Sequence, residues 1–264
     1  MSEEIFYRID LWILFAALLV CLLAAAEIGF LLGRRARPDI DDRTRSQINT
    51  IQAAVLGMLA LLLGFTFSMS TSRYEIRKQL VLEESNAIGT TFLRAQLLPE
   101  PHRREASNLL RRYVDIRLEF YRAGIVPELL HQASDKTEKT HKELWSHAVA
   151  VGEKDPRAVT TGLFIQSLNE MIDLHSKRMA ALENHVPEVV FLLLYLVSII
   201  ALGMLGYRCG LGGRRSLLMA MTTALLIAFV ILIIMDLDRP RRGLIQVSQQ
   251  RLIDLQESLR KPFP

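Results

Sequence analysis

Three acidic residues stand where charge is unusual, and they are the first candidates for chemistry in this sequence. Glu27 lies inside an apolar stretch, where an ionisable group is costly and usually faces a cavity, a partner or the membrane interface. It therefore either acts as a proton carrier, or extends toward the nearby membrane interface, or pairs with an arginine such as Arg35. Asp236 and Asp238 end another apolar stretch, where they form either a cation site or gate contact or an ordinary capped helix end.

The histidines and cysteines form no recognisable catalytic or metal-binding pattern. His141 and His147 lie on opposite faces of a helix, and the sequence contains no His-Glu-x-x-His or paired Cys-x-x-Cys motif. Nucleophile elbows, phosphate-binding glycine loops and dinucleotide fingerprints are absent as well. We therefore expect a protein that is not an enzyme and that holds no metal and no cofactor.

The elements that must position these acidic groups are long apolar stretches. Half of the 264 residues are hydrophobic and 23% are charged, and the two kinds are segregated along the chain. Four stretches have the ~20 apolar residues that a helix needs to cross a bilayer. They predict an all-α integral membrane protein with the lipid bilayer as a partner. The stretches are Leu11–Gly33, Ile51–Ser72, Pro187–Tyr207 and Ser216–Met235.

The order of these stretches predicts four regions. Residues 1–72 form a first transmembrane hairpin with spans 11–33 and 51–72, joined by the loop Arg34–Thr50. Residues 73–186 form a soluble segment, and residues 187–235 form a second hairpin with spans 187–207 and 216–235. Residues 236–264 are a C-terminal tail. The positive-inside rule does not choose a side for the soluble segment, because basic residues are about equally numerous on both sides of the spans.

Residues 73–186 are predicted to be helical. Leu109, Tyr113, Ile116 and Phe120 recur at helical spacing, and no alternating strand pattern is present. Breaks at Pro99–Pro101, Gly124–Pro127 and Gly152–Pro156 divide the segment into about four helices. We expect the first to continue out of the second span through Ser72–Lys78, and the last to run into the third span through Pro187. Nearly balanced charge predicts no nucleic-acid partner.

The second apolar stretch carries apolar residues at a regular helical spacing. Gly57, Leu61, Phe65 and Met69 follow one another at intervals of four, which gives a stripe that drifts slowly around a helix. In an oligomer the stripe would form stacked rings that dewet and block ions, whereas in a monomer it would simply pack against a neighbouring helix. Two Gly-x-x-x-Gly pairs, at Gly29 and Gly33 and at Gly206 and Gly210, predict close helix packing in a bundle or oligomer.

The same stretch resembles the second transmembrane helix of bestrophins. The resemblance rests on Leu56–Phe65, on Ser68 and Ser70, and on the sequence Arg73-Tyr74-Glu75-Ile76-Arg77-Lys78 at the membrane exit. Ser72–Glu75, Glu83–Thr90 and Arg111–Arg117 are similar to the bacterial bestrophin-like domain family, a likeness that covers most of the chain.

This resemblance implies a homopentameric ion channel of the bacterial inner membrane that passes inorganic ions, with a cytoplasmic soluble segment. Leu61 and Phe65 would form a hydrophobic neck, and Gly57 would leave one ring open where the family has a bulky aliphatic residue. Arg73, Tyr74, Glu75 and Arg77 match the membrane-exit cluster, and Asp236 and Asp238 match an acidic stretch after the spans. The alternative is a non-conducting signalling or scaffold protein whose helical segment senses a ligand or partner.

Overall fold

The computed structural model describes residues 9–154, 159–213 and 215–261, and within these ranges every regular element is helical. The all-α prediction is therefore confirmed for this part of the chain. The ends of the predicted first and last regions, together with Asp155 and Pro156 of the third predicted break, lie outside the described residues. The α-helices are α1 Leu11–Ala36, α2 Asp42–Ala95, α3 His102–Arg122, α4 Pro127–Lys154, α5 Val159–Glu183, α6 Glu188–Gly212, α7 Leu217–Asp238 and α8 Gln250–Arg260.

Four helices are long and apolar enough to cross a membrane: α1, the first part of α2, α6 and α7. The loop predicted between the first two is shorter than expected. Helix α1 continues to Ala36, a 3-10 turn covers Arg37–Asp39, and α2 already begins at Asp42. The reason is local, because the carboxylate of Asp41 accepts a hydrogen bond from the backbone N–H of Thr44 at 3.1 Å and so caps the new helix.

Continuity out of the apolar stretches differs between the two predicted cases. Helix α2 runs without a break through Ser72–Lys78, as predicted. The predicted continuity through Pro187 is wrong, because α5 ends at Glu183 and α6 begins at Glu188. A residue that precedes proline is disfavoured in the α conformation, and here that residue, Val186, donates its N–H to the carboxylate of Asp238 at 2.7 Å.

The chain divides into two compact units. Unit 1 comprises residues 1–72 and 185–239, and unit 2 comprises residues 73–184 and 240–264. In unit 1, α1 packs along α6 and also contacts α7. In unit 2, α3 packs against α4 and the tail helix α8, and α4 packs against α5. The tail is fastened to α3 by Arg111, whose side chain donates to the carbonyl of Leu259 at 2.8 Å.

The predicted close packing of the glycine pairs is confirmed in unit 1, where the two pairs pack against each other's helix. A Cβ placed on Gly29 or Gly33 would lie 2.0 Å from a carbonyl oxygen of α6, and one on Gly206 would lie 1.9 Å from the carbonyl oxygen of Ala26. The contacts advance in the same direction along both helices, so α1 and α6 are parallel. Only glycine permits this backbone separation, because any side chain would overlap main-chain atoms.

Candidate functional site

The predicted neck residues lie on an uncovered face of α2. The side chains of Leu61 and Phe65 are 62% and 72% exposed, and Gly57 is exposed, so that a Cβ added to it would meet no atom within 4 Å. Met69 is half-buried at the edge of the unit 1 core. The opposite face of the same helix is buried at Leu59. The stripe therefore does not pack within unit 1 at its two largest residues.

The exposed face of α2 differs in composition from the exposed faces of α6 and α7. On α6 and α7 the exposed residues are mostly large and aliphatic, which is what contact with lipid tails favours. On α2, small residues alternate with the exposed Met58, Leu61, Phe65 and Phe67. Small residues in an apolar helix mark the positions where another helix approaches closely. The small exposed residues of α2 are Ala53, Ala54, Gly57, Ala60, Gly64, Ser68 and Ser72. The large exposed residues of α6 and α7 include Leu192, Leu193, Leu196, Ile199, Ile200, Leu218, Leu225 and Leu226.

The predicted membrane-exit cluster of Arg73, Tyr74, Glu75 and Arg77 is not one site, because its members have different surroundings. Glu75 pairs on the surface with Lys78 at 3.4 Å, and Tyr74 packs against the core of unit 2. Arg77 is buried and donates hydrogen bonds of 3.0 and 2.9 Å to the carbonyl oxygens of Ala181 and Asn184 at the end of α5. Arg73 is half-buried. Arg77 thus caps the negative end of a helix dipole.

All three acidic candidates of unit 1 have partners. Glu27 forms an ion pair with Arg215, which also lies over the ring of Phe30. The predicted arginine partner is present, although it is Arg215 rather than Arg35. Asp236 and Asp238 are buried, and the carboxylate of Asp238 holds the N–H of Val186 ahead of α6. That geometry matches a helix-end cap.

The most strongly ionic site is the buried cluster of unit 2, which we call the Glu84 cluster: Glu84, Arg117, Arg178, Tyr113 and His175. The carboxylate of Glu84 accepts a hydrogen bond from Nε of Arg117 at 2.8 Å and pairs with Arg178 on its other oxygen. Both charged partners are almost fully buried. Arg178 also donates to the amide oxygen of Gln249, which precedes the tail helix. The cluster therefore links α2, α3, α5 and the tail within unit 2.

Burial alone would raise the pKa of Glu84, but the guanidinium groups of Arg117 and Arg178 outweigh it and lower the pKa to about 2. Burial also lowers the pKa of His175 to about 3 and that of His141, whose ring meets it edge-to-face, to about 4, with Arg117 adding to both effects. The carboxylate is thus ionised and both imidazoles are neutral at pH 7. The pKa of the Tyr113 hydroxyl is raised by burial and by Glu84.

A match to a family model identifies the protein family to which this chain belongs. The model of the bestrophin-like domain matches residues 20–252, which is most of the chain. The chain belongs to the bestrophin-like family. Searches against curated proteins and against solved structures returned no match.

The bestrophin-like match covers both units, so both the α2 stripe and the Glu84 cluster lie in the family region. Sequence reasoning placed Glu84 and Arg117 in the resemblance but gave them no role, and it missed Arg178. A signal was available, because each charged residue occupies an apolar register: Glu84 lies between Val81 and Ile88 on one helical face. In the described part of this bestrophin-like chain, no group of three or more His, Cys, Asp or Glu side chains is arranged to hold a metal ion.

Proposed function

We propose that this bestrophin-like protein is a homo-oligomeric, pentameric ion channel of the bacterial inner membrane. Its α1, α6, α7 and the first part of α2 cross the bilayer as two successive hairpins. Copies of α2 surround the pore, and Leu61 and Phe65 form the constriction through which inorganic ions pass. Residues 73–184 lie in the cytoplasm.

The observation that carries the proposal is the exposed face of α2. Leu61 and Phe65 are the two most exposed large apolar side chains of this stretch, and residues small enough to let neighbouring copies of the helix approach stand among them. Repeated around an axis, Leu61 and Phe65 would form two apolar rings, and narrow apolar rings block hydrated ions until they widen or separate. The family match supports the same assignment, because the family includes ion channels.

The test is conductance of the purified protein in planar bilayers. Phe65→Ala removes the larger ring and should raise the current or the open probability. Gly57→Leu should lower it, because a Cβ at Gly57 meets no atom within 4 Å and the new side chain can enter the pore without disturbing unit 1. Phe229→Ala on α7 is the matched control, since it removes an equally apolar exposed ring from another helix and should leave the current unchanged.

Oligomer mass in the same preparation completes the test. Native mass spectrometry should find a pentamer. The variant Ser68→Cys should form disulfide crosslinks between copies of the chain. A protein that is monomeric in detergent and in lipid would overturn the channel. Equal currents from wild type, Phe65→Ala and Gly57→Leu would place the constriction elsewhere.

A non-conducting sensor is the second candidate, and one observation favours it. Unit 2 contains a cleft lined by arginines that ion conduction through α2 does not require. A folded oligomer that passes no current in any of the variants would favour this function.

A further inference from the structure

The cleft of unit 2 combines open space with an excess of positive charge. It opens to solvent between α2, α3, α5 and the start of the tail. Arg77, Arg178 and Arg241 line it, together with Tyr121 and Gln249 and with apolar side chains such as Leu182. None of its lining residues is acidic. The polar groups that face the cleft are therefore cationic or neutral.

The neighbouring acidic residues do not form an ion pair with Arg241. Glu84 is the buried carboxylate behind the cleft, and its two oxygens are used by Arg117 and Arg178. Arg77 is directed to the carbonyl oxygens at the end of α5. Among the described residues, no carboxylate lies within ion-pair distance of the half-buried Arg241, which stacks over the ring of Phe120 at 4.5 Å.

A second cation approaches the same aromatic ring. The guanidinium of Arg117 lies 5.0 Å from the centroid of Phe120, and its two terminal nitrogens are buried without hydrogen-bond partners among the described residues. The pKa of Arg241 is lowered by burial and then by the charges of Arg117 and Arg178, and the exposed Glu183 offsets this only in part. Arginine does not lose its proton in proteins, so this surplus charge remains and is costly to bury without an anion.

We propose that the cleft binds a small oxyanion, a carboxylate or phosphate group, with Arg241 as its principal ligand. The planar guanidinium donates two parallel hydrogen bonds that fit either group, which a spherical ion such as chloride cannot accept in the same way. Arg178 and Arg77 supply the surrounding positive field, and Leu182 forms an apolar part of the wall. The site is separate from the proposed neck, because it involves none of Gly57, Leu61, Phe65 and Met69.

Ligand-induced stabilisation of the full chain in nanodiscs of neutral lipid tests this. Sodium phosphate and sodium acetate are each titrated against sodium chloride at equal ionic strength, and the melting temperature is recorded. A site that binds only the folded protein raises the melting temperature in a saturable way. We expect saturation with at least one oxyanion and no comparable effect of chloride. Equal shifts for all three salts would overturn the proposal.

Variants locate the effect. Arg241→Gln removes the unpaired charge and should weaken binding by about tenfold or more, the cost of losing a charge-assisted pair. Arg251→Gln makes the same chemical change at an exposed position of α8 outside the cleft and should bind as the wild type does. Leu182→Phe fills the cleft while keeping every charge, and it should also abolish binding. This second variant keeps the test valid if Arg241→Gln does not fold.

Undiminished binding in both Arg241→Gln and Leu182→Phe would place the anion elsewhere and overturn the proposal. This experiment measures anion binding and not current, so a negative result would not contradict the proposed channel function. A channel without this site would keep the response to Phe65→Ala, and a sensor without a pore would keep the response to Arg241→Gln.

Discussion

The two units of this protein hold their helices together by different means. In unit 1 the closest contacts between α1 and α6 are at glycines, where the backbones approach without an intervening side chain. In unit 2 an apolar core surrounds a buried carboxylate and two guanidinium groups contributed by three helices. Lipid is as apolar as leucine, so apolar side chains gain little by leaving it, and close backbone packing takes their place.

Unit 2 lies outside the proposed spans, where the hydrophobic effect stabilises the packing of apolar side chains. This effect is not directional, so it does not by itself favour one packing of the helices over a similar one. A buried ion pair at the centre of unit 2 disfavours the alternative packings, because a charge left without its partner in the core is strongly destabilising. The two units should therefore differ in what damages them. Unit 1 should be sensitive to added volume, and unit 2 should be sensitive to lost charge and to acid.

Among the changes that test this difference between the units, Glu84→Ala should cause the largest loss of stability, and it should act on unit 2. It leaves Arg117 and Arg178 buried without their carboxylate, and breaking such a pair costs about 3–5 kcal/mol of unfolding free energy. The chain has two tryptophans, Trp12 in unit 1 and Trp145 in unit 2. Fluorescence-detected unfolding in a Trp12→Phe background therefore follows unit 2 alone.

The control for this change is Glu138→Ala. Glu138 pairs with Lys142 on the exposed surface of α4 at 2.8 Å, and exposed pairs contribute about 0–1 kcal/mol. If Glu84→Ala and Glu138→Ala destabilise unit 2 equally, the buried cluster does not hold that unit together.

Acidification should act next most strongly, and on unit 2. The pKa of His141 is about 4 and that of His175 about 3 in the folded protein, below the ~6.5 of an unfolded histidine. At a pH between the folded and unfolded pKa values, the unfolded chain binds more protons than the folded protein. The stabilising contribution of the neutral histidines is therefore fully present above about pH 6.5 and is lost as the pH falls below it. Each histidine accounts for up to about 2 kcal/mol between pH 6.5 and pH 5. Glu84 adds a loss only below about pH 4.5, as its own carboxylate becomes protonated near pH 2.

The histidine contribution can be isolated by substitution. The double variant His141→Gln and His175→Gln should show a flatter dependence of the Trp145 transition on pH between 7.5 and 5. His131→Gln, an exposed position on α4, should leave the slope of wild type. An unchanged slope in the double variant would assign the acid sensitivity to other groups.

Gly206→Ala should produce the smallest of the three effects, and it should act on unit 1. Its Cβ would overlap the carbonyl oxygen of Ala26, and relieving such overpacking costs about 1–3 kcal/mol. Gly212→Ala, at a position where a Cβ meets no atom within 4 Å, is the matched control. Unfolding is followed through Trp12 in a Trp145→Phe background. Equal stability of the two variants would show that the glycine contact is looser than the structure gives.

Much of the local structure could be predicted from the sequence, because it depends on neighbours along the chain. The apolar stretches, the uninterrupted helix across Ser72–Lys78 and the breaks near Pro101 and Pro127 follow from such local rules. The end of α5 should have followed too, since Val186 precedes a proline. The polar composition before Thr50 predicts a longer loop than the structure has, because arginine and glutamine are polar but are also good helix formers.

Long-range partners could not be predicted in the same way. The two Gly-x-x-x-Gly pairs indicated close contact, but nothing in either motif specified that they would meet each other. Glu84, Arg117 and Arg178 lie on three helices, and a charged residue in an apolar register indicates burial without identifying the group that compensates it. The exposure of Leu61 and Phe65 likewise depends on which face of α2 packs in unit 1.

The parallel contact between α1 and α6 has a consequence for synthesis. The ribosome makes the glycine face of α1 first, and its partner on α6 follows only after more than half of the chain has been added. At ~5–20 residues per second, α1 waits roughly 10–30 s for that partner. During this time its glycines are open to other helices in the membrane, including α1 of a neighbouring nascent chain. Correct assembly therefore depends on the order and speed of translation as well as on the fit of the finished helices.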